Sequence, residues 1–363
     1  MLGKKYAKNA KMTSNSSFYL NNSQPKALIL QDTFRTMEKV LVTRRISENA
    51  LELLKKEGYE LNVYTESRDL TPAELIKMCE GHDALLSVGP NKIDEYFLRS
   101  CKHLKGIALM SVGYDKVDID AATKYRIPIS NTPDVLSEAT ADVAFLLMLS
   151  VARKAFYMHK TIERGEWGFF EPMKNLGQEL YGKTLGVLGL GRIGLELAKK
   201  AKAAYGMKVI YHNRSNNHNA EELLNATYVS FDELLKQSDV LSVHVNLTEE
   251  TTGMFNRTAF EKMKPNAIFI NTARGAIHNE QDLIAALQNK IIWGAGLDVT
   301  NPEPMDKNSP LLNMENVCVL PHIGSATEET REKMAIMAAQ NIIKALKDEQ
   351  MPQVINPEVY QNG

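Results

Sequence analysis

The sequence predicts an α/β protein built from two doubly wound, parallel-sheet domains. Short apolar runs alternate with helix-period segments from Glu38 onward, the pattern that makes parallel βαβ units. The alternation breaks near Thr132-Pro133 for one long helical stretch and resumes at Thr184, so there are two series rather than one. The chain has 363 residues, and at roughly 100–200 residues per domain that length also suits two domains.

In the first series, Lys39–Thr43 (KVLVT) reads as a strand. Ser47–Gly58 follows as a helix that starts on a Ser cap and stops at Gly. Leu61–Tyr64 is a second strand, Thr71–Gly81 a helix opening on TPAE, and Ala84–Val88 a third strand. Gly106–Met110 is a fourth, running into the loop Ser111-Val112-Gly113-Tyr114, and Ile127–Ile129 is a short fifth. Ser137 to about Arg164 reads as one long helix, bounded by Pro133 and Gly165. Glu166–Tyr181, with Trp167, Phe169, Phe170 and Pro172, reads as an extended arm. It either packs its own aromatics onto the surface or contacts a second copy.

The second series gives strands at Thr184–Leu188, Lys208–His212, Val240–Val245, Ala267–Asn271, Gly294–Val299 and Val317–Leu320. Its helices are Arg192–Ala204, Phe231–Gln237, Thr258–Met263 and Gln281–Gln288. Thr327–Lys347 closes the chain as a helix with a TEET start, a plausible cap. No fixed-period repeat is visible.

Composition removes several function classes. Lys+Arg (43) and Asp+Glu (44) balance to a net charge of −1, which argues against a nucleic-acid binder, since that needs a basic face. The longest apolar run, around Val143–Ser150, falls far short of the roughly 20 residues that span a bilayer. Cys79, Cys101 and Cys318 have no paired spacing, so neither a disulfide framework nor a cysteine zinc site is expected. With no HxxxH and no dense carboxylates, no metal site is expected. A reducing, cytoplasmic compartment follows from the cysteines. The charge is uneven: residues 1–36 carry +5, leaving −6 on residues 37–363. This head is rich in Asn and Ser and reads as a disordered basic leader. A mitochondrial targeting segment is the alternative, and Met37 is a sensible start for the folded part.

Thr184–Leu188 runs into Gly189-Leu190-Gly191-Arg192-Ile193-Gly194 and then a helix. A bare GxGxxG is weak, but a strand before it and a helix after it make it a dinucleotide fingerprint. Gly189 permits the tight turn, Gly191 lets the backbone approach a pyrophosphate, and Gly194 lets helix and strand pack closely. A helix N-terminus then faces the phosphates. The next strand ends Tyr211-His212-Asn213-Arg214-Ser215, without the acid that bonds a ribose 2′-hydroxyl in NAD sites. Arg214 and Ser215 offer a cation and a hydroxyl to a 2′-phosphate. NADP(H) is therefore favoured, with NAD(H) as the alternative if Arg214 only stacks on adenine or faces solvent.

In doubly wound sheets ligands sit beyond the carboxyl ends of the strands. Those ends deliver Arg274, a carboxylate (Asp298, or Glu303 past a turn) and His322 toward one crevice. This is the set that carbonyl reduction needs. A protonated His can donate to the ketone oxygen as hydride reaches C2 of a 2-keto acid. A carboxylate such as Glu303 orients the imidazole and favours its charged form. A guanidinium such as Arg274 pairs with the substrate carboxylate and polarises the carbonyl. Taken singly, Glu303 could be a solvated loop residue, His322 a buried hydrogen-bonded histidine and Arg274 half of a surface ion pair.

Together, Gly189–Gly194 (GLGRIG), Asn271–Gly275 (NTARG), Gly296–Pro304 (GLDVTNPEP) and Pro321–Thr327 (PHIGSAT) resemble the D-isomer-specific 2-hydroxyacid dehydrogenases. Met110–Asp115 (MSVGYD), Thr132–Leu136 (TPDVL), the Asn-Arg-Ser strand end and Pro352 are similar to the glyoxylate/hydroxypyruvate reductases within them. The resemblance spans residues 38 to about 357. It implies a flavodoxin-like substrate domain, residues 37–136 plus 326–363, hinged to an NADP-binding Rossmann domain, residues 137–325, in a homodimer. It implies that Arg274, Glu303 and His322 are catalytic, with His322 as acid/base. Val112 and Gly113 would offer backbone N–H groups to the substrate carboxylate, and Asp298 and Ser325 would line the site. Gly189–Gly194, Arg214, Ser215, Asn246, Thr272, Asp298 and Gly324 would contact the cofactor.

The implied activity is NADPH-dependent reduction of glyoxylate to glycolate and of hydroxypyruvate to D-glycerate. A broader 2-keto acid or 2-ketogluconate reductase is the alternative within the enzyme class. A dinucleotide-sensing, corepressor-like scaffold is the remote one outside it. One departure stands out: Phe170 occupies the arm position where related reductases carry a Trp, so it keeps an aromatic ring but not the indole N–H.

Overall fold

A computed structural model describes residues 37–361. The basic leader expected over residues 1–36 lies outside the described residues. The chain forms two parallel-sheet α/β domains. In chain order the first series is β1 (Lys39–Val42), α1 (Glu48–Lys56), β2 (Glu60–Val63), α2 (Pro72–Cys79), β3 (Ala84–Ser87), α3 (Glu95–Ser100), β4 (Gly106–Leu109), α4 (Ile119–Lys124) and β5 (Ile129–Ser130). Next come α5 (Ser137–Ala152) and α6 (Ala155–Glu163). The second series begins with β6 (Thr184–Leu188), α7 (Arg192–Tyr205), β7 (Lys208–His212), α8 (His218–Leu224), β8 (Thr227–Tyr228) and α9 (Phe231–Gln237). It continues through β9 (Val240–Val243), α10 (Arg257–Glu261), β10 (Ile268–Asn271), α11 (Glu280–Gln288), β11 (Gly294–Leu297), β12 (Val317–Val319) and α12 (Glu328–Leu346).

Every strand pairing within the two sheets is parallel. The five-stranded sheet has the order β2-β1-β3-β4-β5, the flavodoxin-like arrangement. The seven-stranded sheet runs β12-β11-β10-β9-β6-β7-β8. Its order reverses between β6 and β9, the switch point at which doubly wound sheets open a ligand crevice. Strands such as β3, β4, β9 and β10 are buried along their whole length. Helices cover both faces of such sheets, which explains continuous apolar runs instead of alternation.

Most helices start on a side-chain cap: Ser47, Asp94, Asp118, Asn217, Asn256, Asn279 and Thr327 accept from the first turn. Thr71 with Glu74 and Ser230 with Glu233 form full capping boxes. Helix α12 packs on α1, β3 and β4, so the chain returns to the first sheet at its end. The tail after it is pinned there as well. The buried Asn356 accepts from the Ile129 N–H (2.8 Å) and donates to the Ile127 carbonyl (3.0 Å). Helix α5 carries ten buried residues and packs on α7, β10 and β11. It is apolar nearly all round because it is a core helix of the second domain.

The structure corrects the single helix expected from Ser137 to Arg164. Arg153 caps α5, Lys154 takes a left-handed φ of 54°, and α6 starts afresh. Neither residue is a sequence breaker. The turn is fixed by tertiary partners: the largely buried Lys154 ammonium pairs with Glu315 at 3.1 Å and lies 6.0 Å from the Trp293 ring centre. The short elements α3, α4, α8 and β8 were not expected. They are too brief for a period to show, although Asp94, Asp118 and Asn217 were readable as caps. Residues 165–183 form no helix or strand, as expected of the arm.

Candidate active site

The site is built from turns at the carboxyl ends of both sheets. At the end of β6, Gly189 has a φ of 91°, and a Cβ there would meet the His244 backbone at 2.8 Å. Only glycine suits both the dihedral and the closeness to the end of β9. A Cβ on Gly194 would meet the Gly189 carbonyl at 2.5 Å, the tight strand–helix contact foreseen. A Cβ on Gly191 would meet nothing within 4 Å. Gly191 is also the N-cap of α7 and gives no side-chain cap. The first turn of α7 is thus left for a ligand to satisfy, beside open space, which is what a pyrophosphate requires.

The rest of this loop is held by neighbours. Leu190 is buried, receives the Asn217 side-chain amide on its carbonyl (2.7 Å) and donates its own N–H to the Asn213 side chain (2.7 Å). Ile193 packs against core residues of both domains. Arg192 is exposed and ion-paired with Asp134. At the end of β7, Arg214 and Ser215 are exposed, and neither side chain has a partner among the described residues. Asn246, past β9, is likewise exposed, and its carbonyl accepts from Thr251 at 2.8 Å. Thr272, past β10, is buried, and its hydroxyl has no hydrogen-bond partner. An orphaned buried hydroxyl at a strand end suits a site that a bound group completes. The residues present therefore fit a dinucleotide.

His322 follows β12 with a left-handed φ of 55°, a costly conformation for a non-glycine residue that its surroundings must enforce. Two carboxylates do so. Buried Asp298, at the end of β11, accepts from the N–H groups of Ile323 and Gly324, both at 2.8 Å. Both of its oxygens are engaged by the loop, so Asp298 holds the backbone that presents His322. Burial raises the Asp298 carboxyl above its ordinary value, against the lowering effect of Ile323 and His322. Gly324 is buried, and its carbonyl accepts from the Thr140 hydroxyl at 3.1 Å. Ser325, one residue on, is half-buried.

The second carboxylate is Glu303, whose Oε1 lies 2.5 Å from His322 Nδ1. Burial opposes ionisation of Glu303, but the His322 hydrogen bond and charge, the Thr300 backbone and the Arg274 charge together hold it below the usual carboxylate range. An ionised carboxylate can only accept, so Nδ1 carries a hydrogen and Nε2 is the ring nitrogen left for proton exchange.

Arg274 follows β10 in the turn that Asn271 clamps. Asn271 accepts from the Ala273 N–H (3.0 Å) and donates to the Arg274 carbonyl (2.9 Å). The guanidinium reaches the other domain: its Nε donates to Asp115 Oδ1 at 2.9 Å. It lies against Gly113, where a Cβ would sit 1.7 Å from Nη2. The Val112 and Gly113 N–H groups have no partner among the described residues. The Gly113 and Val112 carbonyls accept from Ser111 and Asn131, both at 2.8 Å, which fixes that turn. Sequence reasoning missed Asp115, Asn271 and His244. The last is half-buried at the end of β9 near Gly189, and desolvation pushes it down to about 4. Its position directly after an apolar strand was the available signal.

This geometry agrees with comparisons to known proteins. Residues 145–324 match the family described as D-isomer specific 2-hydroxyacid dehydrogenase, NAD binding domain. The chain is 45% identical over 325 residues to a glyoxylate reductase of Thermococcus litoralis, covering 88% of this chain and 97% of that one. It is 41% identical to the Pyrococcus furiosus glyoxylate reductase, covering 88% and 96%. Among solved structures, a Thermus thermophilus protein superposes with a TM-score of 0.82 at 41% identity, covering 87% of this chain and 99% of that one. An NADPH-dependent glyoxylate/hydroxypyruvate reductase of Sinorhizobium meliloti, solved with NADP and malonate, gives 0.78 at 30% identity, covering 89% and 98%. With its two parallel-sheet domains, its glycine turn at the switch point and this similarity along nearly its whole described length, the chain belongs to the D-isomer-specific 2-hydroxyacid dehydrogenases, NAD(P)-dependent oxidoreductases that act on a CH–OH group.

Proposed function

We propose that this protein reduces small 2-keto acids with NADPH, glyoxylate to glycolate and hydroxypyruvate to D-glycerate. The observation that carries the chemistry is the His322–Glu303 pair, close enough to Arg274 for that cation to act on Glu303. When bound, a nicotinamide cofactor would supply the hydride to C2 of the keto acid. The Val112 and Gly113 N–H groups and the free end of Arg274 hold the substrate carboxylate. Arg274 also draws charge onto the carbonyl oxygen. His322, oriented by Glu303, gives that oxygen a proton from Nε2. A general acid so placed contributes roughly 10²–10⁴ in rate.

The NADPH preference rests on Arg214 and Ser215, exposed and without side-chain partners among the described residues, at the end of β7, where residues 211–217 include no Asp or Glu. Residues Gly189–Gly194, Asn246, Thr272, Asp298 and Gly324 complete the cofactor cleft in this reading, and Ser325 the substrate side. The names of the relatives support glyoxylate as a substrate. The division into residues 37–136 with 326–363 and residues 137–325 follows the return of α12 to the first sheet.

We further infer a homodimer. Trp167, Phe169, Phe170 and Met173 are 81%, 91%, 79% and 81% exposed within one short arm. A patch of this kind marks an interaction surface. The three cysteines are free and buried, which suits the reducing cytoplasm. Among the described residues no helix is long and apolar enough to cross a membrane. Steady-state assays with glyoxylate, hydroxypyruvate, pyruvate and 2-ketogluconate, each with NADPH and NADH, test the reading. Highest kcat/KM on the first two with NADPH is expected. Preference for NADH, or for 2-ketogluconate, would contradict it.

A further inference from the structure

We propose that Asp115 is a positioning residue for Arg274, an addition to the site that rests on the reading of Arg274 as the substrate-carboxylate anchor. Three features of the guanidinium carry the inference. Its Nε donates to Asp115 Oδ1 at 2.9 Å. Its Nη1 donates to the Ala273 carbonyl at 2.8 Å. Its Nη2 has no partner among the described residues and lies against Gly113 in the space a Cβ would fill.

Two of the three nitrogens are therefore anchored, one to each domain, and the third is left over the turn that also offers the Val112 and Gly113 N–H groups. A flexible arginine loses side-chain entropy when it is fixed, and an anchor present before substrate arrives removes that cost from binding. The Asp115 and Arg274 side chains are only 18% and 29% exposed, so water screens the pair less than a surface ion pair. Asp115 and Gly113 belong to one domain and Arg274 to the other. The anchored guanidinium thus exists only while both strand ends face each other across the cleft.

The opposite role is also chemically possible: Asp115 could stand in for the substrate carboxylate and compete with it. The two roles differ in sign. The test uses the full-length enzyme with D115A, D115N, R274A and the D115A/R274A double variant. It reads kcat and KM for glyoxylate, Ki for oxamate, and Kd for NADPH by fluorescence. The loss of a charge-assisted bond predicts a fall in kcat/KM of roughly 10- to 100-fold in D115A, with oxamate weakened in parallel. NADPH affinity should stay within about twofold, since no cofactor contact is assigned to Asp115. D115N keeps an acceptor oxygen for Nε–H and should recover part of the loss. D115A added to R274A should cost little more, because Asp115 acts through Arg274.

Unchanged kinetics in D115A, a lowered KM in D115N, additive losses in the double variant, or a parallel loss of NADPH affinity would each overturn the proposal. If R274A itself kept normal turnover and oxamate binding, the underlying reading of Arg274 would fail, and this inference with it. A loss in R274A without one in D115A would remove Asp115 alone.

Discussion

The two sheets contribute to the site in different chemical forms. The five-stranded sheet offers backbone: two N–H groups in the Val112–Gly113 turn that have no partner among the described residues, with Asp115 beside them. The seven-stranded sheet offers side chains: Arg274, Glu303 and His322 from successive strand ends, and Arg214 exposed past β7. In the proposed reading, the Val112–Gly113 turn and Arg274 share the substrate carboxylate across the two domains, while the proton chemistry falls to His322 and Glu303 of the seven-stranded domain alone. A backbone N–H survives almost any substitution, whereas a proton donor is lost with its side chain. Mutational damage should therefore concentrate in the seven-stranded domain.

The largest effect expected is His322→Ala. Loss of the acid should lower kcat by roughly 10²–10⁴, with NADPH binding little changed; near-normal turnover would remove His322 from the role. Arg274→Lys comes next. An ammonium can make neither the fork nor the two-anchor arrangement with Asp115 and Ala273, so kcat/KM should fall by about 10- to 100-fold. Unchanged kinetics would mean that the five-stranded domain alone grips the carboxylate. Arg214→Ala should lower kcat/KM for NADPH by about tenfold or more while changing NADH by about twofold. Equal losses with both cofactors would show that Arg214 does not meet the 2′-phosphate.

A smaller effect separates the domains by stability. His244 and His278 both belong to the seven-stranded domain, and burial pushes each down to about 4. An unfolded histidine titrates near 6.5, so between roughly 4 and 6.5 the unfolded chain binds protons that the folded one does not. The stability they provide is complete above about 6.5 and is lost as pH falls toward 4. Calorimetry from pH 7.5 to 4.5 should show Tm falling in that window, with a shallower fall in His278→Asn. A pH-independent Tm would contradict the downward shifts of His244 and His278.

The same contrast decides what could be read from the sequence. The glycine fingerprint, Arg274, Glu303 and His322 are legible because each is a side chain, or a lack of one, at a strand end whose position follows from the alternating pattern. The Asp115 contact is not, because its partner is an arginine 159 residues away. Asp298 is visible as a strand-end acid, but its hold on the His322 loop appears only when the Ile323 and Gly324 N–H groups are seen converging on it. The break at Lys154 depends on Glu315 and Trp293, which local propensity cannot register. In physical terms, chemistry carried by one residue type shows in a sequence, and chemistry carried by a contact does not.

The most direct test of this division of labour is a crystal structure with NADPH and oxamate bound. The oxamate carboxylate is expected within hydrogen-bond distance of the Val112 and Gly113 N–H groups and Arg274 Nη2, with His322 Nε2 facing the carbonyl oxygen. A carboxylate bound away from the Val112–Gly113 turn, or an imidazole turned from the carbonyl, would contradict it.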